Sequence, residues 1–307
     1  MEYLCNINIL LLLSILIPTY NDSCSTLVNS LEEQAKAIKE PLEIIILDDG
    51  STNSNITLEL EILEKRPLVT IIRNAKNKGR LQSRLALANA AKFNWLLFLD
   101  ADVLPCASNF LKQYLLETEL SHPFVFGGVS YKDDVSPAKE FRLHWLYGKT
   151  REQRDVAVRQ NNPYNTIVSA NMCVQKSSFI QITSTNATSN YGTDIIFLEA
   201  IKQSGKNVKH IHNPVYHLGL ERIHRYLPKQ IEALTTLKQQ VEAGNLAAKE
   251  RPLHKAYLSL NQFYMTAIFQ NLYSLFSKYI MANLNSASPS IRCFDLFKLY
   301  HYSKLYN

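Results

Sequence analysis

The chain has 307 residues, 46% hydrophobic and 20% charged, which excludes a disordered protein and gives length for one large α/β domain with an appendage. Its net charge of +6 is unevenly placed: from Pro228 onward nine Lys/Arg face four Asp/Glu, while the first 227 residues carry 24 against 23. Five scattered cysteines (Cys5, Cys24, Cys106, Cys173, Cys293), odd in number and without a CxxC pair, argue against a zinc site and for reduced thiols in a cytosolic setting.

The apolar run over residues 9–17 is too short to span a bilayer, follows Glu2 rather than basic residues, and lacks a small-residue cleavage pattern. It reads as the first core strand, stopped by Pro18-Thr19-Tyr20-Asn21-Asp22. Leu27, Val28, Leu31, Ala35 and Ile38 then recur at helical spacing, and residues 43–47 form a second strand ending in Asp48-Asp49-Gly50-Ser51. A helix over about 57–65 leads to a strand at 69–72, and Asn77-Lys78-Gly79-Arg80 opens a helix running to Ala91. Trp95-Leu96-Leu97-Phe98-Leu99 follows without a polar break and ends in Asp100-Ala101-Asp102, as a strand buried on both faces would. This alternation predicts right-handed βαβ crossovers and a parallel sheet.

Polar residues thus gather at the ends of three successive strands, the geometry of a nucleotide-binding crevice. Neither GxGxxG nor GxxxxGK[ST] is present, which argues against dinucleotide-dependent oxidoreductases and P-loop enzymes. Asp100 and Asp102 have nothing cationic beside them in the local sequence, and a hard divalent cation is the common remedy for such a pair. A solvated loop is the competing reading for Asp-x-Asp. Turn capping competes for Asp48 and Asp49. For Arg84, on the helix face of Arg80, the competitor is an exposed helix arginine.

Four motifs in order resemble family 2 glycosyltransferases: Ser14-Ile-Leu-Ile-Pro-Thr-Tyr-Asn21, Leu47-Asp-Asp-Gly-Ser51, Asn77-x-Gly79 with Arg84, and Leu99-Asp-Ala-Asp102. Phe126-Gly-Gly128, Ser169-Ala-Asn-Met172, Tyr191-Gly-Thr-Asp194, Asn213-Pro-Val-Tyr-His-Leu-Gly219 and Pro289-Ser-Ile-x-x-Phe-Asp-Leu-Phe-Lys298 resemble a Bacteroidetes-type bacterial branch. The resemblance implies the α/β GT-A fold, a Rossmann-like, mainly parallel sheet flanked by helices, with a C-terminal helical appendage. A catalytic domain is expected over 1–220 (nucleotide-binding half about 13–105, acceptor-side half about 106–220), with a basic helical appendage over 221–307.

It further implies metal-dependent (Mn²⁺ or Mg²⁺), inverting transfer of a hexosyl or N-acetylhexosaminyl group. The expected donor is a UDP-linked sugar, and the acceptor a glycan or lipid-linked glycan in surface polysaccharide synthesis, with no nucleic acid among the partners. By the resemblance Thr19 and Tyr20 meet the base, and Asp48 or Asp49, with Asp49 ahead, meets uracil or ribose. Arg84 lies near the diphosphate. Asp102 is the direct metal ligand, Asp100 holds ribose or a metal-bound water, and His217 is a further ligand with His210 and His212 as competitors. Asp194 is the catalytic base, in a Thr193-Asp194 pair where the family usually shows Glu-Asp; a helix cap is its competing reading.

Residues 131–164 carry Lys132, Arg142, Lys149, Arg151, Arg154 and Arg159 around Trp145 and Tyr147, fitting an acceptor-side insertion or a solvated basic helix. Beyond Glu221, Ile231, Leu234, Leu237 and Val241 mark a helix ending near Gly244. The aromatic-rich stretch 256–281 reads as one longer helix, too polar to span a membrane. Phe294, Phe297, Leu299 and Tyr300 with Arg292, Lys298 and Lys304 mark another amphipathic piece. This appendage either caps the catalytic domain or docks shallowly on an anionic membrane, giving a cytoplasmic protein peripheral at the inner face. A sugar-nucleotide pyrophosphorylase would need a glycine-rich loop where Pro18-Thr19-Tyr20-Asn21 stands, and an inactive transferase-fold scaffold has only Thr193 in its favour.

Overall fold

A computed structural model of the chain describes residues 13–118, 122–133, 137–164, 167–183, 194–246 and 251–306. The described residues of Met1–Val129, Asp155–Ala187 and Ser204–Leu218 form one compact unit; those of Ser130–Arg154, Thr188–Gln203 and Gly219–Asn307 form another.

The first unit opens with β1 (Leu13–Thr19), α1 (Ser25–Ala35), β2 (Leu42–Asp48), α2 (Ser54–Leu63), β3 (Val69–Arg73), α3 (Arg80–Ala90) and β4 (Trp95–Leu99). After them come β5 (Val103–Pro105), α4 (Phe110–Thr118), β6 (Phe124–Phe126) and β7 (Val129–Ser130). Helix α5 (Arg142–Tyr147) belongs to the second unit, and α6 (Val156–Asn161), β8 (Asn171–Gln175) and α7 (Lys176–Thr183) return to the first. Helix α8 (Asp194–Gln203) is again in the second, followed in the first by β9 (Val208–His210) and β10 (Val215–His217). The chain ends in the second with α9 (Ile223–Glu242), α10 (Pro252–Gln262), α11 (Thr266–Leu284) and α12 (Ile291–Lys304).

Among the described residues the main sheet has seven strands in the order β3-β2-β1-β4-β8-β6-β9, and a small sheet runs β5-β10-β7. Strands β1 to β4 are mutually parallel, β8 lies antiparallel between β4 and β6, and β9 is parallel to β6. The apolar strands are buried on both faces: Ile15, Leu16 and Ile17, like Leu97, Phe98 and Leu99, are fully covered. Leu27, Val28 and Leu31 of α1 and Leu87 and Ala88 of α3 are buried with them. Burial continues through Asp48 and Asp49 and eases only at Gly50. Gly50 turns the chain at φ +79°, and a Cβ there would sit 2.8 Å from the Lys76 carbonyl carbon, so only glycine fits.

In the second unit, Leu143, Tyr226, Leu227, Tyr273, Ile280, Leu284, Phe294 and Phe297 form one core, and Leu234, Leu237, Leu246, Tyr257 and Tyr302 another. Helix α9 ends at Gly244 (φ 75°), with Asn245 N–H donating to the Gln240 carbonyl in a Schellman turn. The stretch expected as one helix is two. Helix α10 closes with the same motif, Met265 N–H donating to the Leu260 carbonyl at 2.8 Å, and Tyr264 takes the left-handed position at φ 55°. No glycine or proline announces that break. Among the described residues no helix is long and apolar enough to cross a membrane.

Candidate active site

The candidate site begins where β1, β2 and β4 end. Thr19 is buried and its Oγ1 donates to the Asp22 carbonyl at 2.7 Å, while the Tyr20 ring beside it is 44% exposed. Asn21, at φ 57°, joins the first two loops: its N–H donates to Ser51 Oγ, and its Oδ1 accepts from the backbone of Thr52 and Asn53. Asp48 Oδ1 accepts from Ser51 N at 2.9 Å, the turn bond its sequence suggests. Asp49 is buried and accepts Asn74 Nδ2 at 2.7 Å, Lys78 N at 3.0 Å and Gly79 N at 2.9 Å. One carboxylate therefore anchors the loop that starts α3, and Gly79, at φ 89°, is the residue that lets the chain turn into it.

Helix α3 delivers two arginines one turn apart. Arg84 is buried and donates from Nη2 to Asp100 Oδ1 at 2.8 Å, so the carboxylate pair is not without a cation, as its local sequence suggested. The partner comes from 16 residues upstream, across the αβ connection between α3 and β4. Asp102 is half-buried and meets His217 Nε2 at 3.4 Å from Oδ2. Antiparallel pairing of β10 with β5 sets His217 opposite Val103, and Leu218 N donates to the Asp102 carbonyl at 2.8 Å. Burial pushes the Asp102 carboxyl up, but the His217 hydrogen bond and charge, aided by Arg80, outweigh it and hold the group below the usual carboxylate range.

This donor set suits a hard divalent cation. Two ligands at right angles about a metal with bonds of ~2.1 Å lie roughly 3 Å apart, close to the 3.4 Å between Asp102 and His217. Among the described residues no group of three His, Cys, Asp or Glu side chains forms a metal cage. A cation held here by two protein ligands has its remaining positions open to phosphate oxygens or water, as such ions prefer.

Of the other two histidines, His210 has both ring nitrogens engaged elsewhere. His210 is buried, its Nδ1 accepts from Arg159 Nη1 at 3.0 Å and its Nε2 donates to the Pro163 carbonyl at 2.8 Å. Burial holds its pKa below the ordinary value. Arg159, counted above with the basic stretch, is itself buried and donates to the carbonyls of Phe126, Gly127 and Ile211. His212 is exposed.

The motifs at 126–128, 169–172 and 213 meet in one buried polar knot. Asn171 accepts from Tyr114 Oη at 2.6 Å and donates to the carbonyls of Gly128 at 2.8 Å and Asn213 at 2.9 Å. A Cβ on Gly127 would come within 2.3 Å of the Asn213 carbonyl oxygen. In the sequence these residues stand out only as family motifs; in the fold they hold β6, β8 and the approach to β10 together. Asp194 stands first in α8, in the second unit; its side chain, and all of Thr193, lie outside the described residues.

The chain is 39% identical over 93 residues to a glycosyltransferase of Haemophilus influenzae, covering 30% of this chain and 29% of that protein. It is 25% identical over 201 residues to the undecaprenyl-phosphate 4-deoxy-4-formamido-L-arabinose transferase of Pseudomonas fluorescens, covering 62% and 58%. The chain thus spans less than two thirds of the length of either relative. The fold is GT-A. It is shared with a mannosyltransferase from Pyrobaculum calidifontis solved with GDP-Man and Mn²⁺ (TM-score 0.59, 14% identity, 96% of this chain and 86% of that one). Glucosyl-3-phosphoglycerate synthase from Mycobacterium tuberculosis, solved with Mn²⁺, UDP and glucosyl-3-phosphoglycerate, is also similar (TM-score 0.51, 13% identity, 74% and 78% covered). The family described as Glycosyl transferase family 2 matches residues 14–179, just over half of the sequence, and the chain belongs to that family.

Proposed function

We propose that the chain is a metal-dependent, inverting glycosyltransferase of a Bacteroidetes-type branch. It moves a hexosyl or N-acetylhexosaminyl group from a nucleotide-sugar, UDP-linked in this reading, to a glycan or lipid-linked glycan in surface polysaccharide synthesis. The observation that carries the proposal is the pairing of Asp102 with His217 beside the Arg84–Asp100 ion pair at the end of β4. The Mn²⁺ in both solved relatives and the undecaprenyl-phosphate named for the Pseudomonas protein support the metal and a lipid-linked acceptor.

Each residue then has a task. Tyr20 offers an exposed ring for the base, and Thr19 and Asp48 fix the loops on either side of it. Asp49 shapes the turn before α3 with both carboxylate oxygens and, in this reading, accepts a further hydrogen bond from uracil or ribose. Arg84 orients Asp100, which takes ribose or a metal-bound water, and adds positive charge near the diphosphate. Asp102 and His217 would hold Mn²⁺ or Mg²⁺, which when bound would supply positive charge against the departing nucleoside diphosphate.

Asp194 removes the proton from the acceptor hydroxyl as that oxygen attacks the anomeric carbon, and the bond to the diphosphate breaks with its electron pair leaving on phosphate. Residues 1–220 serve as the catalytic part, with donor contacts in 13–105 and acceptor contacts in 106–220. The appendage over 221–307 makes peripheral contact with the inner membrane face.

Donor turnover measured with Mn²⁺ and with chelator, on the chain and on Asp194→Asn, tests this. The expected result is turnover that requires metal and is abolished in Asp194→Asn while donor binding survives. Turnover unchanged by chelator or by Asp194→Asn overturns the mechanism.

A further inference from the structure

The helical unit presents an apolar face that its own packing leaves uncovered. On α11, Met265 at its N-cap, Ile268, Leu272, Leu275 and Tyr279 recur at spacings of three and four, so they share one side of the helix. They are exposed by 43%, 51%, 53%, 71% and 75%, whereas Tyr273, Ile280 and Leu284 on another side enter the core. The preceding turn extends the face: Phe263 is 70% exposed and Tyr264 91%. Tyr264 occupies the left-handed position that helix ends ordinarily give to glycine. A large aromatic ring placed there, strained and turned to solvent, gains nothing inside the unit. Continuous apolar exposure of this kind marks an interaction surface.

Charge identifies what covers it. From Arg251 through Phe294 the sequence has no Asp or Glu, while Lys255, Lys278 and Arg292 are exposed. Spacings of three and four would also serve a helix dimer, but such seams are flanked by charges of both signs, and segment 251–294 supplies only cations. Apolar side chains for the acyl boundary, aromatic rings at headgroup depth and cations without carboxylates together match an anionic bilayer. We infer that α11 and the turn before it lie in the plane of an anionic lipid surface, with the Met265–Tyr279 stripe immersed and Phe263 and Tyr264 as a wedge. This rests on the membrane contact proposed above and assigns it to specific residues.

Co-sedimentation of the full chain with phosphatidylcholine vesicles, with and without phosphatidylglycerol, tests the inference. Binding is expected only with the anionic lipid and weakens as salt rises. The exposed double variant Leu272→Glu/Leu275→Glu weakens it roughly tenfold or more, with an unchanged melting curve. Tyr264→Gly also weakens it, while its melting temperature holds or rises because glycine relaxes the turn. Binding that survives both variants, or a dimer by light scattering that Leu272→Glu/Leu275→Glu dissolves without vesicle binding, overturns the inference. Metal-dependent donor turnover, measured without vesicles, separates the two readings. An active chain that does not bind vesicles overturns the docking alone, and an inactive chain that does bind overturns the transferase alone.

Discussion

Asp102 sits where burial alone would favour its neutral form, yet His217 and Arg80 keep it charged. For both groups to face one cation, His217 has to give up the Nε2 proton that faces Asp102. Arg84 is the less forgiving of the two cationic partners, because it is buried while His217 is only half-covered. Arg84→Ala leaves Asp100 without its charge partner; the expected cost is about 2 kcal/mol in urea-unfolding free energy, together with a raised KM for the donor. An unchanged unfolding midpoint would show that the ion pair is not structural. Gly50→Ala tests the turn at the end of β2: φ +79° and the close Lys76 backbone predict a loss of roughly 1–3 kcal/mol by the same measurement.

Elements explain what could and could not be seen in the sequence. Strands β1, β2 and β4 were legible because strands buried on both faces must be continuously apolar, and the acidic residues after them were conspicuous for the same reason. The Arg84–Asp100 and Asp102–His217 pairs were not legible as contacts, since the second depends on β10 meeting β5 across more than a hundred residues. The end of α9 was marked by Gly244, whereas the break before α11 falls on Tyr264, a residue whose type does not signal a turn. Arg159 looked like one of many surface cations; only its carbonyl partners reveal it as internal. The knot around Asn171 yields a prediction at this scale. Asn171→Ala strips partners from Tyr114 and from two backbone carbonyls, and the expected loss is about 3 kcal/mol or more in chemical unfolding. A loss under ~1 kcal/mol would show that the knot is dispensable.

Across the whole molecule, His210, His254 and His301 all have pKa values lowered by burial. The unfolded chain therefore binds more protons than the native one below about pH 6.5, and stability is full above that value and declines as pH falls toward the folded-state values. A lower unfolding midpoint at about pH 5.5 than at pH 7.5 is expected, and a flat profile would contradict it. In the function proposed above, Asp102 and His217 would hold one divalent cation beside the diphosphate. Thermal shift with UDP, with Mn²⁺, and with both tests it most directly, on the chain and on Asp102→Asn and His217→Ala. Bound by nucleotide and metal together at about a hundred times Kd, the chain should melt roughly 5 °C higher or more, either component alone should do little, and both variants should lose the joint effect. UDP stabilisation that is equal with chelator, or unchanged in both variants, would contradict the account.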